Sequence, residues 1–166
     1  VQEFIAAARS TRDLWSGSYL LAYLTANAIK AVTDVIGPDS IIFPALRGQG
    51  VFDILHQKDL YSTIKYQAGE DQTFHTLWER MYEGNDKNAL KRLLSPTLPN
   101  RFVALVPESD ADALGQAAEN AVGKALREIS DACFEQFSEL AENAGAQEGL
   151  IAGMQERWNS QVELFP

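Results

Sequence analysis

Apolar positions recur along this chain at two periods, and each change of period marks an element. From about Gly17 to Val35, the residues Leu21, Leu24, Ala28, Ala31, Val32 and Val35 fall at helical spacing, and Gly37-Pro38 closes the run as a helix stop. This predicts a core helix with one buried face. Ahead of it, Val1-Gln2-Glu3-Phe4-Ile5-Ala6-Ala7-Ala8-Arg9 is built of good helix formers and predicts a short helix before a break at Ser10-Thr11. The period then shortens. Ser40-Ile41-Ile42-Phe43, bounded by Gly37-Pro38 and Pro44, predicts a short buried strand, and Phe102-Val103-Ala104-Leu105-Val106, closed by Pro107, predicts a second. Residues 45–98 carry weaker helical patterns around Phe52 to Leu55, Phe74 to Tyr82 and Ala89 to Leu94. They read as an insertion between neighbouring strands, because a structureless connection of that length is uncommon in a compact domain.

Ser109-Asp110-Ala111-Asp112 offers an N-cap hydroxyl and first-turn carboxylates, resembling a capping box with Asp in place of Glu. A long helix follows to about Asn143, with Leu114, Ala118, Ala121, Val122, Ala125, Ile129, Cys133, Phe137 and Leu140 as its apolar stripe. Ala144-Gly145 breaks it, and a shorter helix carries Ile151, Met154 and Trp158.

At 166 residues and 46% hydrophobic content, the chain is large enough for one sizeable core. A formal net charge of −9 and a pI near 4.7 argue against a free-standing, sequence-independent nucleic-acid binder, which needs clustered cations to displace counterions. The single cysteine, Cys133, rules out an internal disulfide and a multi-cysteine zinc site, and points to a reducing, cytoplasmic setting. No run of about 18 apolar residues is present to span a bilayer, and no basic start leads into an apolar segment. No membrane partner is therefore expected. The chain opens at Val1 without an initiator methionine and stops at Glu163-Leu164-Phe165-Pro166, so it reads as a piece of a longer protein with a functional partner domain outside it.

Little of the usual catalytic vocabulary is present. His56 and His75 belong to no HD dipeptide, HExxH box or Cys/His cluster, and the bland reading of both as ordinary insertion or surface residues is preferred. There is no Walker loop and no GxGxxG, and Gly48-Gln49-Gly50 is isolated. Asp110 and Asp112 are explained by helix capping rather than metal binding, and Trp15, Trp78 and Trp158 by packing rather than base stacking. Two features resist dismissal. Arg12-Asp13-Leu14-Trp15-Ser16-Gly17-Ser18-Tyr19-Leu20-Leu21 reads as a Ser/Gly turn before an apolar helix, the arrangement in which backbone N–H groups and hydroxyls meet a phosphate. Arg47 follows a predicted strand directly, where a charged loop residue faces a ligand.

Three blocks carry a resemblance. Phe4-Ile5-Ala6-Ala7-Ala8-Arg9-Ser10-Thr11-Arg12-Asp13-Leu14-Trp15-Ser16-Gly17-Ser18-Tyr19-Leu20-Leu21, then Ile41-Ile42-Phe43-Pro44-Ala45-Leu46-Arg47-Gly48, then Leu98-Pro99-Asn100-Arg101-Phe102, resemble the first palm domain of the large subunit of type III-B CRISPR effector complexes. The blocks stand in the family's order, and the resemblance reaches from the start of the chain to about Pro107, with the long helix after it also fitting. It implies an α+β, ferredoxin-like palm related to nucleotide cyclases, made of residues 1–44 and 99–166 with 45–98 as a mostly helical insertion between the two central strands. The family's second palm carries a GGDD motif that binds divalent metal and converts ATP to cyclic oligoadenylates when target RNA is bound, and an HD domain, where intact, cuts single-stranded DNA. This chain has neither motif. The resemblance therefore implies a palm with no catalytic and no metal-binding residue of its own.

On that reading Arg12, Asp13, Gly17, Ser18 and Arg47 contact a nucleotide, which is ATP with Mg²⁺ held together with the second palm outside this chain. Arg12 pairs with phosphate, Asp13 orients Arg12 or caps the helix, Gly17 permits close backbone approach and Ser18 supplies a hydroxyl. The partners implied are the second palm, the other effector subunits and the guide RNA complex. Two other classes stand beside it: a silent interaction domain scaffolding neighbouring subunits, and a helical adaptor unrelated to CRISPR. In the bland reading Ser16 or Ser18 merely caps a helix.

Overall fold

The computed structural model describes residues 10–67, 74–79 and 95–162. The segments expected as helices at Val1 to Arg9 and Ala89 to Leu94 lie outside them. The chain divides into two compact units, residues 1–118 and 119–166.

Ser10 starts the first helix. Its backbone is extended (φ −140°, ψ 159°), and its Oγ accepts from the Asp13 N–H at 3.1 Å, satisfying a donor that a helix start leaves bare. Helix α1 (Thr11–Ile36) runs from there for 26 residues, with Asp13 facing the positive end of its dipole. It ends where expected: Gly37 sits at φ 89°, and its N–H donates to the Thr33 carbonyl at 2.9 Å. The start differs from expectation, since Arg12 to Ser18 is helix and not a turn. Ser10, six residues before Ser16, takes the capping role and lets the helix begin two turns early.

The buried face of α1 also differs. Ala22, Thr25, Ala26, Ile29 and Thr33 are buried together with Ala28 and Val32, whereas Val35 is 68% exposed. Ala22, Ala26 and Ile29 form the core of the first unit with Val51, Phe52 and Leu98, and Tyr19, Tyr23, Ile41, Leu46, Leu55 and Phe102 pack around it. Two alanines one turn apart leave room for the neighbouring segment to approach closely.

That segment is helical but changes pitch. Helix α2 (Gly50–Phe52) passes into a π-helical stretch (Asp53–Gln57) and then helix α3 (Lys58–Thr63). Strand β1 (Ile41–Phe43) pairs antiparallel with β4 (Val103–Ala104), Ile41 opposite Ala104 and Phe43 opposite Val103, with an irregularity between the two pairs. The strand expectation holds in place but not in burial: Ile42, Phe43, Val103 and Leu105 are half or more exposed. A short two-stranded ribbon has only one face to place against the core.

A second ribbon pairs β2 (Lys65–Gln67) with β3 (Phe74–Thr76), so the helical pattern read from Phe74 begins as a strand. Helix resumes at Leu77 because Thr76 caps it: Thr76 Oγ1 accepts from the Glu79 N–H at 3.1 Å, and the Thr76 N–H donates to Glu79 Oε2 at 2.8 Å.

A 3₁₀ turn (Glu108–Asp110) precedes helix α4 (Ala111–Asn143), and the Ser109 hydroxyl donates to Asp110 Oδ1 at 2.9 Å. After α4 the chain turns through Gly145 (φ 85°) in a Schellman arrangement, Ala146 N–H donating to the Ala141 carbonyl and Gly145 N–H to that of Glu142. Helix α5 (Glu148–Val162) follows. In the second unit Ala125, Phe134 and Ile151 are buried, and Cys133 and Leu140 of the expected stripe are exposed. The packed line on α4 shifts to Phe134, whose ring meets Trp158 at 5.7 Å, while Trp158 Nε1 donates to Ser130 Oγ at 2.7 Å.

Candidate functional site

Beyond β1 the chain makes a tight turn that brings Arg47 to the mouth of a pocket. Gly48 takes φ 78°, Gln49 N–H donates to the Leu46 carbonyl at 3.1 Å, Gln49 Nε2 donates to the Ala45 carbonyl at 3.1 Å, and the Thr97 hydroxyl donates to Gln49 Oε1. Gln49 thus ties the turn from both sides. The next backbone bond, Asp53 N–H to the Gln49 carbonyl at 2.8 Å, carries the chain into α2 and the π-helical stretch.

The pocket has a volume of about 470 Å³. Its apolar walls are Ile41, Leu46 and Phe52; its polar groups are Asp39, Arg47, Asp53 and Tyr61. Asp53 is 1% exposed, and Arg47 and Asp39 stand at the surface. Burial pushes the Tyr61 hydroxyl above its ordinary pKa, the Asp53 charge adds to that, and Arg47 opposes it. A deep carboxylate, a phenol that keeps its proton and a guanidinium at the rim therefore share one cavity. Such a site suits a ligand with an anionic group for Arg47 and hydrogen-bonding groups for Tyr61 and Asp39.

Of the residues singled out in the sequence, Arg47 alone lines this pocket. Arg12 and Asp13 are exposed in the first turn of α1. Gly17 is buried inside the helix, which removes the expected role of close backbone approach from a loop. The Ser18 hydroxyl donates to the Leu14 carbonyl at 2.9 Å, as helical serines do. Asp39, Asp53 and Tyr61 escaped the sequence reading, because nothing in their spacing connects them before the turn at Gly48 folds them together.

His56, expected as an ordinary insertion or surface residue, is largely covered, its side chain 16% exposed. Its Nε2 lies 2.8 Å from Thr33 Oγ1 and its Nδ1 lies 3.4 Å from Asp34 Oδ1, while Lys30 Nζ holds Asp34 Oδ2 at 2.6 Å. Its ring stands edge-on to Phe52 at 5.0 Å. Burial lowers its pKa, Asp34 counteracts that and Lys30 reinforces it. The two ring nitrogens thus face the Asp34 carboxylate and the Thr33 hydroxyl, which also donates to the Lys30 carbonyl at 3.2 Å. His56 thereby ties the π-helical stretch to the last turns of α1. Among the described residues no three His, Cys, Asp or Glu side chains gather to hold a metal ion, and no helix is long and apolar enough to cross a membrane.

Comparison with known proteins adds a family. The family model for CRISPR-associated protein Cmr2, N-terminal, matches residues 1–146. The chain is 29% identical over 129 residues to CRISPR system Cmr subunit Cmr2 of Pyrococcus furiosus, covering 78% of this chain and 11% of that protein. It is 28% identical over 108 residues to the CRISPR system CMR subunit Cmr2 of Saccharolobus solfataricus, covering 64% of this chain and 10% of that protein. The chain thus spans about a tenth of the length of these relatives. No solved structure matches it.

Proposed function

The chain belongs to the family of CRISPR-associated Cmr2 N-terminal regions, and from that premise we propose that it is a non-catalytic palm of the large subunit of a type III-B effector, contributing one wall of an ATP pocket. Membership sets aside the adaptor unrelated to CRISPR. Within this reading the ferredoxin-like palm is built around β1 and β4, residues 45–98 are its insertion, and the subunit acts with the guide RNA and the other effector subunits in antiviral defence. Within the same reading, cyclic oligoadenylate synthesis belongs to the second palm, which also holds the Mg²⁺.

The observation that carries the nucleotide role is Arg47 at the mouth of a 470 Å³ pocket that also contains the Tyr61 hydroxyl. Arg47 and Tyr61 suit phosphate oxygens, and Ile41, Leu46 and Phe52 suit the flat face of a base. Arg12 and Asp13, at the exposed start of α1, retain a supporting role in the proposal; Gly17 and Ser18, absorbed into the helix, retain none.

ATP binding with Mg²⁺ by the full-length polypeptide tests this, measured by calorimetry. Arg47→Ala is expected to weaken binding by about tenfold or more, the loss of a charge-assisted bond to phosphate, and Ser18→Ala is expected to leave it unchanged. Unchanged affinity in Arg47→Ala rejects the nucleotide role.

A specific observation also favours the scaffold reading. Ile42, Phe43, Val103 and Leu105 expose apolar surface on the β1–β4 ribbon, which suits a packing role against a neighbouring subunit. ATP titration separates the two, since a pure scaffold gives no heat at any concentration.

A further inference from the structure

The pocket beside Arg47 and the histidine behind it share a wall. Phe52, 2% exposed, lines the pocket and also meets the His56 ring at 5.0 Å and 89°. Asp53, which lines the pocket as well, opens the π-helical stretch that contains His56. A widened turn of this kind departs from the regular helical ladder and recurs at functional sites. What holds it here is α1. His56 Nε2 lies 2.8 Å from the hydroxyl of the buried Thr33, and His56 Nδ1 lies 3.4 Å from Asp34. This link is sensitive to one proton. The ring is largely covered, so a charge on it is disfavoured. The charged groups that face it, Asp34 and Lys30 of α1, already pair with each other at 2.6 Å, so Asp34 answers a second cation only in part. Of the other charged groups nearby in the chain, Asp53 acts on Tyr61, and Lys58 of α3 lies over the Trp78 ring at 5.6 Å.

We propose that His56 is a positioning residue that regulates the Arg47 pocket, a role that rests on the nucleotide reading of that pocket. Uncharged, it holds Phe52 and the π-helical stretch against α1 in the shape that binds ligand. A proton on the ring loosens that wall and weakens binding. A ligand packed on Phe52 favours the uncharged ring, so ligand and proton each lower the affinity for the other by the same factor.

The test titrates ATP with Mg²⁺ into the full-length polypeptide by calorimetry between about pH 7.5 and about pH 5.5. Affinity is expected to fall by about fivefold or more beyond the fall seen in His56→Gln, whose amide takes up no proton. Protonation of ATP itself is common to both proteins and drops out of the comparison. Lys30→Gln is expected to move the fall to higher pH and Asp34→Asn to lower pH, because the first removes a charge that disfavours the protonated ring and the second removes one that favours it. Both side chains are partly exposed, so these two variants carry the test where His56→Gln does not fold. A ring that serves stability alone changes how much protein is folded at low pH and leaves the affinity of the folded protein untouched. Identical pH profiles in the unmodified protein and His56→Gln, or a profile that neither charge variant moves, overturn the proposal, and the nucleotide role still stands if Arg47→Ala weakens binding. ATP binding that Arg47→Ala leaves unchanged overturns both.

Discussion

His56 shows how much a single side chain depends on neighbours distant in sequence. Read alone it is a histidine without a motif. In the fold its Nε2 reaches Thr33, its Nδ1 faces Asp34 and its ring meets Phe52, so burial favours the neutral form. The consequence has a sign. The unfolded ring takes up a proton near its ordinary value of about 6.5, the folded ring only at lower pH, so the unfolded state binds more protons in between. The stability due to this ring is complete above that ordinary value and is lost as pH falls through the interval beneath it. Urea midpoints measured between about pH 7 and about pH 5 should fall, and His56→Gln should show the shallower fall, because the contribution of this ring is then missing from the slope. A slope identical in the two proteins would show that His56 titrates alike in both states. Arg47 makes the complementary case: its place after a strand was readable from Phe43-Pro44-Ala45-Leu46-Arg47, yet its companions Asp39, Asp53 and Tyr61 were not, since they meet only in the folded pocket.

Elements were legible where a chemical signal ends them. Gly37-Pro38 stops α1 and Gly145 stops α4, both with positive φ. Gly37 combines φ 89° with ψ 159°, a region open almost only to glycine, and an added Cβ there would touch nothing. Gly37→Ala is therefore expected to destabilise the chain by about 1–3 kcal/mol through backbone strain alone, as measured by urea unfolding. Starts were harder to read. Ser10, Ser16 and Ser18 all suit a helix N-cap by composition, and the choice of Ser10 required its extended backbone and the Asp13 N–H at 3.1 Å. At Thr76 the signal was present and overlooked: Thr76-Leu77-Trp78-Glu79 is a capping box, and it marks where the β3 strand gives way to helix.

For the whole chain, what matters is which apolar residues became core. Ile29, fully buried among Ala22, Ala26 and Phe52, holds α1 against α2. Leu140, one of the stripe residues expected on α4, is 67% exposed. Ile29→Ala is expected to cost about 2–5 kcal/mol in urea unfolding of the 166-residue chain, and Leu140→Ala to stay within about 0.5 kcal/mol. Comparable losses at both positions would mean that Leu140 is packed. The acidic side of α4 belongs to the same scale. Asp131, Glu135, Glu139 and Glu142 repel one another along the helix, by a few tenths of a kcal/mol for each pair one turn apart.

Sequence alone determined the helical periods of α1, α4 and α5, the glycine stops of α1 and α4, the two strand segments around Ile42 and Val103, and the blocks that resemble the CRISPR large subunit. These are local properties, set by backbone preference and by residues a few positions apart. Tertiary structure alone decided which face of α1 is buried and which side chains share the cavity at Arg47. The reason is physical: α1 is apolar around much of its circumference, from Leu20 through Leu24, so its own pattern permits more than one buried face. The choice among them falls to the partner that packs closest, and that partner, Val51 and Phe52, lies beyond the reach of any helical period.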